Sequence, residues 1–189
     1  MSNMTRRSLA VAAVIACGWL STEARAGFGI KEAEFLRAFN ADTFSAWAGG
    51  VRLQITRREM ADDRVREVLD FSFGRTCARG LGSSHRGTKE IMSFHINTSE
   101  RCFSDDSYTV LLLYRAAIHT LCGVADVGKV GDAVTELTKR FADAEPTDVG
   151  NRSGTLNFGR CGLLVMSVPI VKGLVFFVAP EVASRPTEP

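Results

Sequence analysis

The amino-acid sequence predicts an α+β fold in which an antiparallel sheet packs against one or more helices. Three observations favour this class. Segments with the two-residue period of half-buried strands follow one another early in the chain, helical periods dominate the middle, and the last third is strand-like again. Strands and helices thus form separate blocks, whereas a parallel doubly wound sheet would need them to alternate. The approximate order that we expect is α-βββ-α(α)-βββ.

The first block is predicted to be one helix followed by a hairpin and a third strand. Apolar side chains recur at helical spacing over residues 31–40, with charged side chains between them. Apolar and polar residues then alternate over 51–56 and over 65–73, and residues 62–63 are the expected turn. The same alternation over 91–97 predicts the third strand.

The segment 74–89 between the second and third strands is predicted to be a long exposed loop. It contains four glycines and few apolar residues, and loops of this length in compact domains are often functional. Its candidate functional side chains are those of Ser83, Ser84, His85 and Arg86. The run resembles a phosphate-binding loop only superficially, because its lysine follows the threonine and a strand, not a helix, comes next.

No residues in this segment form a recognisable catalytic motif. A hydrolase would use Cys77 or a loop serine as nucleophile and His85 as base, with Asp70 orienting the histidine. The serines do not lie in a Gly-x-Ser-x-Gly turn, and a disulfide would consume the thiol of Cys77. The three histidines of the chain are far apart in sequence, and the spacings typical of metal ligands are missing. We therefore predict no catalytic residue, no metal and no cofactor.

The middle block is predicted to contain one long or two short helices. Residues 108–122 carry a wide apolar face, and Ser107 before them is a favourable N-cap. Three glycines then mark a bend. Residues 132–143 again show helical spacing, and Pro146 ends this second helix.

The last block is predicted to hold the most buried strands of the sheet. Residues 163–168 and 174–179 are nearly continuous apolar runs rich in β-branched residues. Such runs are typical of strands that are covered on both faces. Residues 155–160 are the candidate for one more strand in this block.

The N-terminal 26 residues have the properties of an export signal. Arg6 and Arg7 precede an apolar run over 9–20, and the small-residue site Ala24-Arg25-Ala26 follows it. The apolar run is too short to span a bilayer, which takes about 20 residues. We therefore predict a signal peptide over 1–26, a single globular domain over 27–180 and a disordered tail over 181–189.

Two details of the signal leave its processing open. The two adjacent arginines match the loose outline of a twin-arginine signal, which would export an already folded protein. Val14-Ile15-Ala16-Cys17 resembles a lipobox, in which Cys17 would be acylated and would tether the protein to a membrane. Cleavage before Gly27 is the alternative that we favour, because the apolar run before Cys17 would be short and the Ala-Arg-Ala site downstream competes with the lipobox.

The charge of the chain argues against nucleic acid as a partner. The whole chain has 23 basic and 21 acidic residues. Three of the arginines and one of the glutamates belong to the predicted signal, so the mature chain would be neutral. Basic residues are also spread evenly along the chain, whereas phosphate backbones are bound by clustered basic residues.

Four cysteines remain after removal of the signal, and an even number in an exported protein predicts two disulfides. Three pairings are open. We favour Cys77 with Cys102, which bracket the third strand, and Cys122 with Cys161, which would join the main helix to the sheet. The alternative is that the cysteines are packed as reduced thiols.

These observations leave an exported binding or interaction module, in the periplasm or secreted, as the favoured functional hypothesis. Its partner would be another protein or a small envelope ligand, and a membrane only if Cys17 is acylated. The alternatives are a small exported hydrolase that uses the 74–89 segment and a lipoprotein tethered through Cys17.

Overall fold

The computed structural model of the chain describes residues 27–147, 150–169 and 172–181. It confirms the α+β class, with an antiparallel sheet and helices of similar extent. The predicted signal peptide with Cys17 lies outside the described residues, and so does almost all of the predicted tail.

The elements occur in the order αα-ββββ-αα-βββ along the described chain. The helices are α1 (Glu32–Asn40), α2 (Thr43–Trp47), α3 (Glu100–Cys122) and α4 (Val127–Asp143). The strands are β1 (Leu53–Met60), β2 (Arg66–Phe73), β3 (Arg79–His85), β4 (Ile91–Ser99), β5 (Ser153–Phe158), β6 (Cys161–Val168) and β7 (Gly173–Pro180).

The strands within the described residues form one sheet in the order β1-β2-β3-β4-β7-β6-β5, and every neighbouring pair is antiparallel. The first four strands follow one another as hairpins. After α3 and α4, β5 forms the other edge of the sheet, and β6 and β7 follow it inwards. β7 therefore pairs with β4 and joins the two blocks.

The prediction of a long loop over 74–89 is wrong, because β3 lies inside it. The glycines that indicated a loop are required by packing in the sheet. A Cβ on Gly80 would lie 2.8 Å from the Cβ of Phe71, and one on Gly82 would lie 2.6 Å from the Ser93 carbonyl oxygen. Glycine is therefore used here for close approach, one of its known roles inside strands.

The core is built around phenylalanines from α1 and the first four strands. Phe35 and Phe39 on α1 lie over Phe71, Phe73 and Phe94 of the sheet, all of them buried. The ring of Phe94 contacts the ring of Phe35 edge to face, with centroids 5.1 Å apart. This cluster explains why the amphipathic pattern over 31–40 predicted the first helix correctly.

Both central helices begin earlier than the sequence predicts. α3 starts after Ser99, whose hydroxyl accepts a hydrogen bond from the Cys102 backbone N–H at 3.1 Å. A local break at Asp106 separates this first part from the apolar part that the sequence pattern detects. α4 starts after Asp126, whose carboxylate accepts hydrogen bonds from the N–H groups of Gly128 and Lys129. In both cases the N-cap side chain accepts hydrogen bonds from backbone N–H groups of the first turn. This stabilises the start of the helix, although several of its first residues have low helix propensity.

The strands of the last block are not buried on both sides, in contrast to the prediction. Along β6 and β7, buried residues alternate with partly exposed ones, although nearly all of them are apolar. The continuous apolar pattern therefore reflects one face that packs in the core and a second apolar face that no described helix covers.

Candidate functional site

The helices of the described chain lie on one face of the sheet. α1 packs there through Phe35 against Phe94, and α3 packs there through Tyr114, whose ring centroid lies 4.8 Å from that of Phe176. The disulfide from Cys122 ties α3 to the same layer. The opposite face of the sheet, here called the open face, is the candidate functional surface.

The centre of the open face is apolar. Leu164 and Met166 on β6 pair directly with Phe177 and Val175 on β7, and all four side chains are partly exposed. We call these four residues the apolar patch. Side chains directly opposite one another on neighbouring strands lie about 5 Å apart, so the four form one contiguous surface.

Polar residues border the apolar patch on both sides. On β5, Ser153 pairs with Met166 and Thr155 pairs with Leu164. On β4, Asn97 pairs with Val175 and His95 pairs with Phe177. The open face of the last block thus has an apolar centre with a polar border, as protein interfaces commonly have.

His95, on the β4 side of this border, lies between the apolar patch and β3. Its ring contacts the ring of Phe177 edge to face at 4.9 Å, and its strand neighbour on the other side is Leu81. Burial among these side chains lowers the pKa of His95 to about 4. The imidazole is therefore neutral at neutral pH, and this part of the face carries no charge.

The open face becomes charged towards β1. Arg57 is paired with Glu59, and its strand neighbour Asp70 is partly exposed. Arg79 on β3 pairs with Asn97, is exposed, and makes no ion pair with any residue that the structure describes. An unpaired cation therefore lies two strands from the apolar patch.

A network of charged residues occupies the helix-covered face near the start of α1. Arg58 forms ion pairs with the buried carboxylates of Glu32 and Glu67, and Lys89 pairs with Glu67 at 2.6 Å. The Ser84 hydroxyl donates to Glu32 Oε1 at 2.5 Å. Each buried carboxylate has a cationic partner, so the network links α1 to the sheet.

These contacts set the protonation of the two carboxylates. Burial raises the pKa of Glu32, but hydrogen bonds from Arg58 and Ser84 and nearby positive charge outweigh it, so that the net pKa lies below its ordinary value. For Glu67 the hydrogen bond from Lys89 is the largest cause of a lowered pKa. Both groups are therefore ionised in the folded protein at neutral pH.

We expect this network to make the fold sensitive to acid. A carboxylate with a lowered pKa in the folded state stabilises the fold above its unfolded-state pKa and loses that contribution as the pH falls through the folded-state pKa. Urea unfolding between about pH 7 and pH 3 should therefore give a shallower pH dependence for Glu32→Gln than for the wild type. Glu34→Gln, on the exposed side of α1, is the control and should keep the wild-type dependence. Identical pH profiles for all three proteins would contradict the assignment.

The structure does not bring the candidate residues of 83–86 together as a catalytic group. The Ser83 hydroxyl lies 2.8 Å from the hydroxyl of Ser93, and the Ser84 hydroxyl donates to a carboxylate on the other face. The His85 Nδ1 accepts from two N–H groups of its own turn, 3.2 Å away. Arg86 is exposed. The serines are thus used in structural hydrogen bonds.

The cysteines form both of the disulfides that the sequence favoured. Cys77 is bonded to Cys102 and Cys122 to Cys161. The first bond attaches the β2–β3 connection to the start of α3, and the second joins the end of α3 to the start of β6. Because Cys77 is bonded, its thiol does not serve as a nucleophile in this structure.

One histidine contact was missed by the sequence analysis. His119 Nδ1 lies 2.5 Å from the buried carboxylate of Asp42, which also accepts a hydrogen bond from the Phe44 N–H as the cap of α2. A carboxylate that orients a histidine is part of many hydrolytic sites. Here the other ring nitrogen faces the Ala125 carbonyl oxygen at 3.4 Å, and no nucleophile of the described chain is bonded to it. Asp42, a favourable N-cap residue directly before α2, was the available signal.

Two of the concave sites that the described residues form lie at the ends of the sheet. One, of about 400 Å³, is lined mainly by Phe103, Val168, Pro169 and Leu174 near the β6–β7 turn. The other, of about 410 Å³, is bordered by residues 27–29 together with Glu90 and Arg160. Neither contains any of the residues that the sequence predicted as functional.

Within 27–147, 150–169 and 172–181, no group of three or more His, Cys, Asp or Glu side chains is arranged to hold a metal ion. None of the helices in these ranges is by itself long and apolar enough to cross a membrane, although α3 and α4 together, bent by 119°, reach that length and composition.

The open face with its apolar patch is the candidate binding surface of the described chain. Comparison of the chain with protein-family models, curated proteins and solved structures gives no match.

Proposed function

We propose that this protein is an exported binding module that binds an amphipathic helix of another envelope or secreted protein on its open face. The observation that carries the proposal is the apolar patch itself. An antiparallel sheet with one solvated face normally alternates apolar and polar residues. β6 and β7 instead present Leu164, Met166, Val175 and Phe177 on the face that no described element covers.

The size of the apolar patch favours a helix over a second copy of the chain. The patch is two strands wide, and with its side chains it spans roughly the 10 Å diameter of an α-helix. A stable dimer buries about 800 Å² on each partner, which is far more than four partly exposed side chains provide. The apolar stripe of one short helix matches this area better.

The charges around the apolar patch further define the partner. Arg79 is exposed and unpaired within the described chain, and it lies two strands from Val175. The neutral His95 lies between Leu81 and Phe177. The expected ligand is therefore a helix with an apolar stripe and an acidic side chain on the edge that faces Arg79.

Export is the second part of the proposal. The two disulfides are consistent with an oxidising location outside the cytoplasm. The charged, apolar and small-residue regions of 1–26 support a signal peptide that is cleaved before Gly27. The mass of the mature protein tests this, because a chain that starts at an acylated Cys17 would instead be a lipoprotein.

Site-specific photocrosslinking in living cells tests the binding proposal. A photoreactive phenylalanine analogue replaces Phe177 on the open face or, as the control, the exposed Tyr108 on the helix side. We expect position 177 to give one defined adduct with another exported protein and position 108 to give none. The crosslinked peptide should map to an amphipathic helix, and a synthetic peptide of that helix should compete with the adduct.

Further variants separate the outcomes. Leu164→Glu should abolish the adduct at position 177 because it places a charge in the apolar patch, and Arg79→Glu should weaken it. Thr135→Glu, at an exposed position of α4 on the helix side, should leave it unchanged. Adducts between two copies of this chain would mean that the open face binds a second copy of the chain and not a helix of another protein. The absence of any adduct at position 177 would overturn the proposal.

A further inference from the structure

The first described residues of the chain are held against the start of β4. The Phe28 N–H donates to the Ile91 carbonyl at 2.9 Å, and the Ile91 N–H donates to the Ile30 carbonyl at 2.9 Å. The Glu32 N–H donates to the Lys89 carbonyl at the same distance. The side chain of Phe28 is only 2% exposed. The backbone next to Gly27 is therefore anchored by hydrogen bonds and by burial.

The carboxylate of Glu90 lies directly over this segment. It accepts a hydrogen bond from the Gly29 N–H at 2.7 Å. A Cβ built on Gly27 would lie 2.5 Å from Glu90 Oε1 and 2.7 Å from its carboxyl carbon. Only glycine at position 27 leaves room for the carboxylate in this position. Glu90 makes no ion pair with any side chain in the described ranges, although Arg160 borders the same cavity.

We infer that Glu90 is the docking site for the new amino terminus that signal cleavage creates at Gly27. The inference rests on the export part of the proposed function. Cleavage would convert the Gly27 amide nitrogen into an ammonium group beside an unpaired carboxylate. Processing would then complete an ion pair in the mature protein that the precursor lacks.

The distance between the Gly27 nitrogen and the Glu90 carboxylate supports this pairing. The backbone nitrogen of a residue lies about 2.5 Å from its Cβ position. The Gly27 nitrogen is therefore within about 5 Å of Glu90 Oε1, and rotation of the flexible glutamate side chain closes the remainder. Because Phe28 is already fixed, little conformational entropy is lost when the pair forms.

The ion pair has a defined pH dependence. A nearby carboxylate raises the pKa of an amino terminus, because it favours the ammonium form. An amine with a raised pKa stabilises the fold below its unfolded-state pKa and loses this contribution as the pH rises through the folded-state pKa. The mature protein should therefore lose this contribution in mildly alkaline solution.

The test uses the protein that an expressing bacterium exports from the full-length gene. Intact mass first identifies the amino-terminal residue, which we expect to be Gly27. Acylation of the α-amine by a limiting active ester is then followed at about pH 7 by peptide mapping. In Glu90→Gln the amine should react roughly two- to fivefold faster than in the wild type, because more of it is neutral.

A matched control and a second readout complete the design. Glu181→Gln changes the other carboxylate beside the cavity and should leave the acylation rate at the wild-type value. Acetylation of the α-amine should raise the unfolding equilibrium constant of the wild type about two- to fivefold and should not raise that of Glu90→Gln. The side-chain amide in Glu90→Gln keeps an oxygen acceptor for the Gly29 N–H, so this variant is expected to fold.

The outcomes distinguish this inference from the proposed binding function. A mature chain that does not begin at Gly27 overturns the inference. A chain that begins at Gly27 but has equal acylation rates in the wild type and Glu90→Gln overturns the ion pair while export stands. Crosslinking at Phe177 involves neither residue, so its failure would affect only the binding proposal.

Discussion

Replacing Phe94 by alanine is expected to lower the free energy of unfolding by about 3–5 kcal/mol. The ring of Phe94 is fully buried and lies at the centre of the aromatic cluster, in edge or tilted contact with Phe35, Phe39, Phe71 and Phe73. Alanine would leave a cavity between α1 and three strands that the surrounding rigid rings cannot fill. Urea unfolding followed by circular dichroism measures the loss.

Phe177→Ala is the matched control for Phe94→Ala. It removes the same side chain from the partly exposed open face and should cost about 1–2 kcal/mol, less than Phe94→Ala, because the exposed side of the ring has no neighbours to lose. Equal losses for both variants would mean that Phe177 is covered in the isolated protein. That result would also contradict the apolar patch as a free binding surface.

Removal of the disulfide between Cys122 and Cys161 is the second change with a large expected effect. The bond spans 39 residues, and on the chain-entropy model it stabilises the fold by about 4 kcal/mol. Both cysteines are buried, so Cys122→Ala with Cys161→Ala also removes packed sulfur atoms. Thermal unfolding of the double variant should therefore occur at a much lower temperature than that of the oxidised wild type.

The other disulfide provides the comparison. Cys77→Ala with Cys102→Ala opens a link of 25 residues, worth about 3.5 kcal/mol on the same model. Because Cys77 is exposed, this variant should lose less packing than the first. Reducing agent opens both bonds of the wild type, whereas each double variant lacks only one. If the reduced wild type unfolded at a temperature no lower than that of the oxidised double variants, the two bonds would not contribute independently.

Regular amphipathic patterns predicted the fold class and most of the elements. The alternation over 65–73 and the helical spacing over 31–40 both reflect a single buried face, so each pattern was visible locally. β3 was missed because Gly80 and Gly82 break the apolar alternation where Phe71 and the β4 backbone come close. That crowding involves residues distant in sequence, and no local pattern contains it.

The candidate site, too, depends partly on local sequence patterns and partly on contacts between residues that are distant in sequence. Ser84 is conspicuous in the sequence as part of a polar run, yet its hydroxyl binds Glu32, 52 residues away, and has a structural role. Leu164 and Phe177 are inconspicuous in their apolar strands. Their partial exposure follows only from the placement of the helices on one face of the sheet. The sequence therefore predicted the apolar strands correctly, but the prediction that both faces of these strands are buried was wrong.

The sequence by itself determined the α+β class, the expectation of two disulfides and the signal-like character of 1–26, because each depends on composition, on spacing or on periods of a few residues. Tertiary structure decided that β7 joins the two blocks, that one face of the sheet stays open and that Glu90 lies over Gly27. These features depend on which surfaces meet after the chain folds back on itself, and local periodicity carries no information about that choice.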